Sequence, residues 1–241
     1  RRRHTRCSRD WSSDVCSSDL ISDFENVLSK EELLTAEEDH IKLHQALLEE
    51  DKNCKIISAH IKILETALLK KMDGFSGIEG IVELRGNVIK SVLDKKYIKE
   101  NFPAEYNAFC KDTLKFSGSF NPKGLITLSK IDKELDTALK GLNSPKFTAA
   151  DTQLPLMHKS AELEQLHLQL IMLNKEMQEA EWKKLQWQTR LQAAVGDYAG
   201  IEGLCTWERK NKTSVEFDEK GFLRQYPQME QYKTEAKESV A

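Results

Sequence analysis

The sequence predicts an α+β fold, mostly α, in which one unit is used twice: a long coiled-coil helix, a small β-hairpin and a short helix. Three observations carry this. A short phrase occurs twice, as Phe75-Ser76-Gly77-Ile78-Glu79-Gly80-Ile81 and as Tyr198-Ala199-Gly200-Ile201-Glu202-Gly203-Leu204, 123 positions apart. Apolar residues upstream of each copy recur at steps of three, four or seven. Turn and cap residues then follow each copy in the same order.

The repeat extends beyond the phrase. The same offset pairs Thr66 with Thr189 and Leu68 with Leu191, while an offset of 124 pairs Asp94 with Asp218 and Phe102-Pro103 with Tyr226-Pro227. Self-similarity at a fixed spacing over more than one motif implies one structural unit used in tandem. The expected organisation is a first unit over 21–124, a helix and polar linker over 125–155, and a second unit over 156–241.

Residues 1–20 stand apart. They have no apolar period that could pack as helix or strand, and the run from Trp11 to Leu20 resembles the translation of a common sequencing-adapter end. They are read as a non-native tail and excluded from the fold, which leaves the start of the protein before Ile21 undefined. Without their five Arg and three Asp the formal charge moves from −3 to −5. That is not the balance of a general DNA clamp. Cys54, Cys110 and Cys205 remain, odd in number and without C-x-x-C spacing, so neither a disulfide framework nor a zinc site is indicated. No apolar run approaches the roughly 18 residues of a membrane span. The cytoplasm is the expected location.

In the first unit, Ser29-x-x-Glu32 and Thr35-x-x-Glu38 read as capping signals ahead of a long helix. Its seam holds Leu43, Leu47, Cys54, Ile57, Ile61, Leu64 and Leu68, interrupted by Glu50. Shifted by the repeat offset, the seam falls in the second unit on Leu166, Leu170, Leu173, Met177, Ala180, Lys184, Trp187 and Leu191, a helix expected from about Pro155 to Val195. The pattern read from one copy is met by the other. Asp73-Gly74 and Gly196-Asp197 stop the helices, and the repeated phrase turns the chain back.

A strand is expected at Ile81 to Leu84 and again at Leu204 to Glu208, the latter turning at Arg209-Lys210-Asn211-Lys212 into Thr213 to Phe217 as a hairpin. Asp94 and Asp218 occupy N-cap positions, and Pro103 and Pro227 end the short helices they start. Between the units, Phe116 to Gly124 reads as a loop and Leu125 to Leu142 as a helix.

The residues of the second unit carry a resemblance. Gly196-Asp197-Tyr198-Ala199-Gly200-Ile201-Glu202-Gly203, then Cys205-Thr206-Trp207, Val215-Glu216-Phe217-Asp218-Glu219-Lys220 and Tyr226-Pro227, resemble the C-terminal tail of YqaJ-type viral recombinase exonucleases. The match covers about Glu162 to the C-terminus. A weaker echo covers the first unit, where Leu84 stands in place of the tryptophan, and Glu208 stands where the family has lysine. The resemblance implies a phage DNA-processing enzyme that trims duplex ends for an annealing protein. Its nuclease core, expected upstream, would use carboxylates and a Glu-x-Lys to hold Mg²⁺ on the scissile phosphate. Here the Glu-x-Lys matches are Glu181-Trp182-Lys183 and Glu235-Ala236-Lys237, neither expected on an apolar strand. No family catalytic residue is carried over, and no catalytic or metal-binding residue is assigned in this chain.

Other residue patterns offer candidates. His40 and His44, one helical turn apart, could face a metal, but without a third ligand nearby they read as solvated. Trp182 and Trp187 could stack on bases. The seam claims Trp187 and leaves Trp182 open. Trp207 with Arg209, Lys210 and Lys212 combines an aromatic with cations, a pattern suited to phosphate contact, against which stands a solvated turn in an acidic chain. The expected partners are a second helix, in the same chain or another, and DNA or an annealing protein. The reading that competes with the nuclease tail is a stand-alone coiled-coil structural protein.

Overall fold

The computed structural model describes residues 27–85, 89–147 and 150–237. The adapter-like tail lies outside them. The fold is α+β with helix the larger share. In order, the chain forms α1 (Glu38–Lys71), β1 (Gly77–Ile78), β2 (Val82–Glu83), β3 (Ile89–Leu93), α2 (Lys95–Asn101), α3 (Pro103–Ala108) and β4 (Cys110–Pro122). It continues with α4 (Leu128–Ile131), α5 (Lys133–Lys140), β5 (Leu156–Met157), α6 (Ala161–Val195), β6 (Gly200–Ile201), β7 (Cys205–Phe217), α7 (Glu219–Gln225), a 3-10 turn (Pro227–Tyr232) and β8 (Lys233–Lys237).

These elements gather into two compact units that interleave along the chain. One takes the described residues up to Cys54 with Phe116–Ile126 and Glu179–Lys210; the other takes Lys55–Lys115, Thr127–Gln178 and the chain from Asn211. Each unit therefore draws on both sequence copies. The first holds the second copy of the repeated phrase, and the second holds the first copy.

In the first unit the N-terminal half of α1 lies antiparallel to the C-terminal half of α6. Leu47, Leu191, Val195, Ile201, Cys205 and Trp207 form the core, with Leu43 and Trp187 packed against it. Asp51, 4% exposed, accepts a hydrogen bond from Lys184 at 2.6 Å, fixing the register of the two helices. In the second unit the remaining halves are also antiparallel: Leu68, Met72, Ile78 and Leu163 form a core, and Lys71 bonds Glu162 at 3.0 Å. None of the expected seam positions on either helix is exposed, whereas Leu168, Met172 and Trp182 of α6 are.

The repeated phrase is a tight turn with the same strand pairing in both units. In one, Gly77 and Ile78 pair antiparallel with Glu83 and Val82; in the other, Gly200 and Ile201 pair with Thr206 and Cys205. The two glycines of each phrase serve different ends. A Cβ on Gly77 would lie 2.8 Å from the Glu83 Cα, and one on Gly200 would lie 2.8 Å from the Thr206 Cα, so the strands touch only because no side chain intervenes. Gly80 and Gly203 hold φ of 71° and 76°, the left-handed region that closes the turn. Both isoleucines are fully buried.

Several expectations need correction. No turn exists at Arg209 to Lys212: β7 runs unbroken from Cys205 to Phe217, because it has β4 as a strand neighbour as well as β6. The expected loop at Phe116 to Gly124 is largely β4 for the same reason. The helix expected over Leu125 to Leu142 is broken into α4 and α5 at Asp132, whose carboxylate caps the Leu135 N–H at 2.9 Å. The long helices start later than expected, at Glu38 and Ala161, because the residues ahead of them are spent on strand pairing. The expected capping residue Ser29 bonds the backbone N–H of Arg209 instead.

Other signals hold. Asp94 caps the Tyr97 N–H and Asp218 the Gly221 N–H, each at 2.9 Å. The short helices they start pack in the second unit around Leu93, Ile98, Phe222 and Met229, with Phe109, Phe217 and Tyr226 on the same core.

Candidate functional site

The four residues singled out for nucleic-acid contact sit on β7, and alternation along the strand sorts them. Trp207 and Arg209 point inward, 3% and 2% exposed. Lys210 and Lys212 are exposed. Gly118 of β4 leaves room for the indole: a Cβ there would stand 3.3 Å from the Trp207 Nε1. The Arg209 guanidinium lies 4.2 Å from the Trp207 ring centroid and donates through Nη2 to the Tyr198 carbonyl at 3.0 Å. Burial pushes its pKa down, with Asp197 pulling the other way.

The strand backbone is tied as well. Arg209 N–H donates to Ser29 Oγ, and Ser29 N–H donates to the Arg209 carbonyl, both at 3.3 Å. Beside them Lys30 bonds Asp197 at 2.6 Å and stands 4.7 Å from the Tyr198 ring centroid. That bond lowers the Asp197 carboxyl and raises the Lys30 amine from their ordinary values. Trp207 and Arg209 thus brace the repeated phrase from inside. Lys210 is paired with Glu208 at 2.6 Å, and Lys115 with Glu216. A neighbouring carboxylate thus offsets one of the two exposed candidate cations, Lys210.

The remaining candidates separate in the same way. His44 is buried rather than solvated, its Nε2 2.8 Å from the Lys123 carbonyl, and His40 Nδ1 accepts from the Glu37 N–H at 3.2 Å. Among the described residues no three His, Cys, Asp or Glu side chains gather as metal ligands. Trp187 packs on the core with Arg190 over its ring, and Trp182 is 60% exposed. Burial raises the thiols of Cys54 and Cys205, which keeps them in the unreactive protonated form. Of the Glu-x-Lys runs, Glu181-Trp182-Lys183 is on α6 and Glu235-Ala236-Lys237 in β8; Glu50-Asp51-Lys52 on α1 and Glu208-Arg209-Lys210 on β7 share the spacing. Among the described residues, no helix is long and apolar enough to cross a membrane.

What the structure builds most carefully is the pairing of each phrase with the segment ahead of the other long helix. In the first unit Ala199 N–H donates to the Glu32 carbonyl, Leu34 N–H to the Gly200 carbonyl and Glu202 N–H to the Leu34 carbonyl, at 2.8–2.9 Å. In the second, Ser76 N–H donates to the Pro155 carbonyl at 3.1 Å and Glu79 N–H to the Met157 carbonyl at 3.0 Å, and β1 runs parallel to β5. Residues 32 and 34 map onto 155 and 157 by the repeat offset, as 199 and 202 map onto 76 and 79. The bridge at Leu34 and the strand Leu156–Met157 are not among the elements expected from the sequence. Their signal was present: an apolar pair just ahead of each helix, Leu33-Leu34 and Leu156-Met157, in the register of the repeat. No family model, no curated protein and no solved structure matches this chain.

Proposed function

We propose that this chain is the non-catalytic C-terminal portion of a YqaJ-like phage recombination nuclease and that it serves assembly, with docking of an annealing protein or positioning of DNA as its further role. The metal-dependent chemistry and its Mg²⁺ belong, in this reading, to a nuclease core outside this chain. The family part rests on the residues of the second copy and their order. The assembly part rests on one observation: each repeated phrase is hydrogen-bonded to the pre-helix segment of the other copy. An element that completes itself only with a partner copy is an association element.

The finer description of α1 and α6 as coiled-coil helices belongs to this proposal and is supported by the seam positions being their packed face. It equally favours the second reading, a stand-alone coiled-coil structural protein without a nuclease. The two are separated by light scattering of residues 21–241 across concentration, followed by addition of duplex and single-stranded DNA. The nuclease-tail reading expects a DNA-dependent shift in mass carried by surface cations such as Lys210 and Lys212. A mass unmoved by either DNA leaves the structural reading.

A further inference from the structure

We draw no further inference here: the strongest candidate, the apolar groove that α1 and α6 form in the second unit between Ile63, Leu64, Met172 and Leu173, with Leu168 and Ile171 exposed on α6, carries nothing because nothing in the structure shows what covers it.

Discussion

The two compact units share the backbone of the repeated phrase and differ in what packs around it. Each closes the repeated phrase with the same hydrogen bonds: Leu84 N–H to the Ser76 carbonyl in one and Trp207 N–H to the Ala199 carbonyl in the other, both at 2.7 Å. The side chains beneath diverge. One unit packs Trp207 and a buried Arg209 over Val195 and Cys205, and carries the Asp51–Lys184 pair. The other holds Leu84 at the tryptophan's position and fills its core with Met72, Leu163 and Phe147. Backbone geometry at a glycine turn admits few residues, whereas a core accepts many sets of similar volume. The phrase is alike in both copies for the first reason, and its surroundings differ for the second.

The largest way to break that comparison is to empty the shared core position. Leu191→Ala and Leu68→Ala, equivalent and buried to 0% and 5% exposure, are each expected to cost about 3 kcal/mol in denaturant melts. Unequal losses would show that the units are not equally packed. Close behind is Gly200→Ala, whose Cβ would press on backbone that cannot yield, at about 3 kcal/mol; Gly77→Ala meets the same backbone contact without the positive φ of Gly200. Gly203→Ala meets nothing within 4 Å and has only its φ of 76° to pay for, about 1 kcal/mol. The gap between these variants measures contact against conformation.

The smallest effect is in titration. The Asp197 carboxyl is lowered by Lys30, so its contribution is present above the usual carboxylate range near 4 and is lost as pH falls through the lower folded value. The Lys30 amine is raised, and its share is lost only as pH rises through that raised value. Lys30→Met should therefore flatten the acid limb of the stability profile slightly, read as thermal melts across pH, with the neutral region little changed.

Much of the fold was legible because it repeats. The phrase and the caps at Asp94 and Asp218 are local patterns, each seen twice, and local physics sets them. The turn at Arg209 was misplaced because a basic polar run looks like a turn until a second strand is available to pair with it, and β4 lies about 90 residues away in sequence. The short strands ahead of the helices were missed because two or three residues carry no period. The candidate site fared unevenly for a related reason. Trp207 and Arg209 alternate with exposed Glu208 and Lys210, which strand periodicity would have sorted had the strand been recognised.

The central claim is that each phrase is completed by the other copy, and hydrogen exchange on a Leu34→Pro variant tests it most directly. Proline removes the N–H that Leu34 donates to the Gly200 carbonyl. The expected result is faster exchange at Ala199, Glu202 and Leu204 of the distant second phrase, with Ser76, Glu79 and Ile81 of the nearer first phrase unchanged. Loss of protection in the first phrase, with the second intact, would contradict the account.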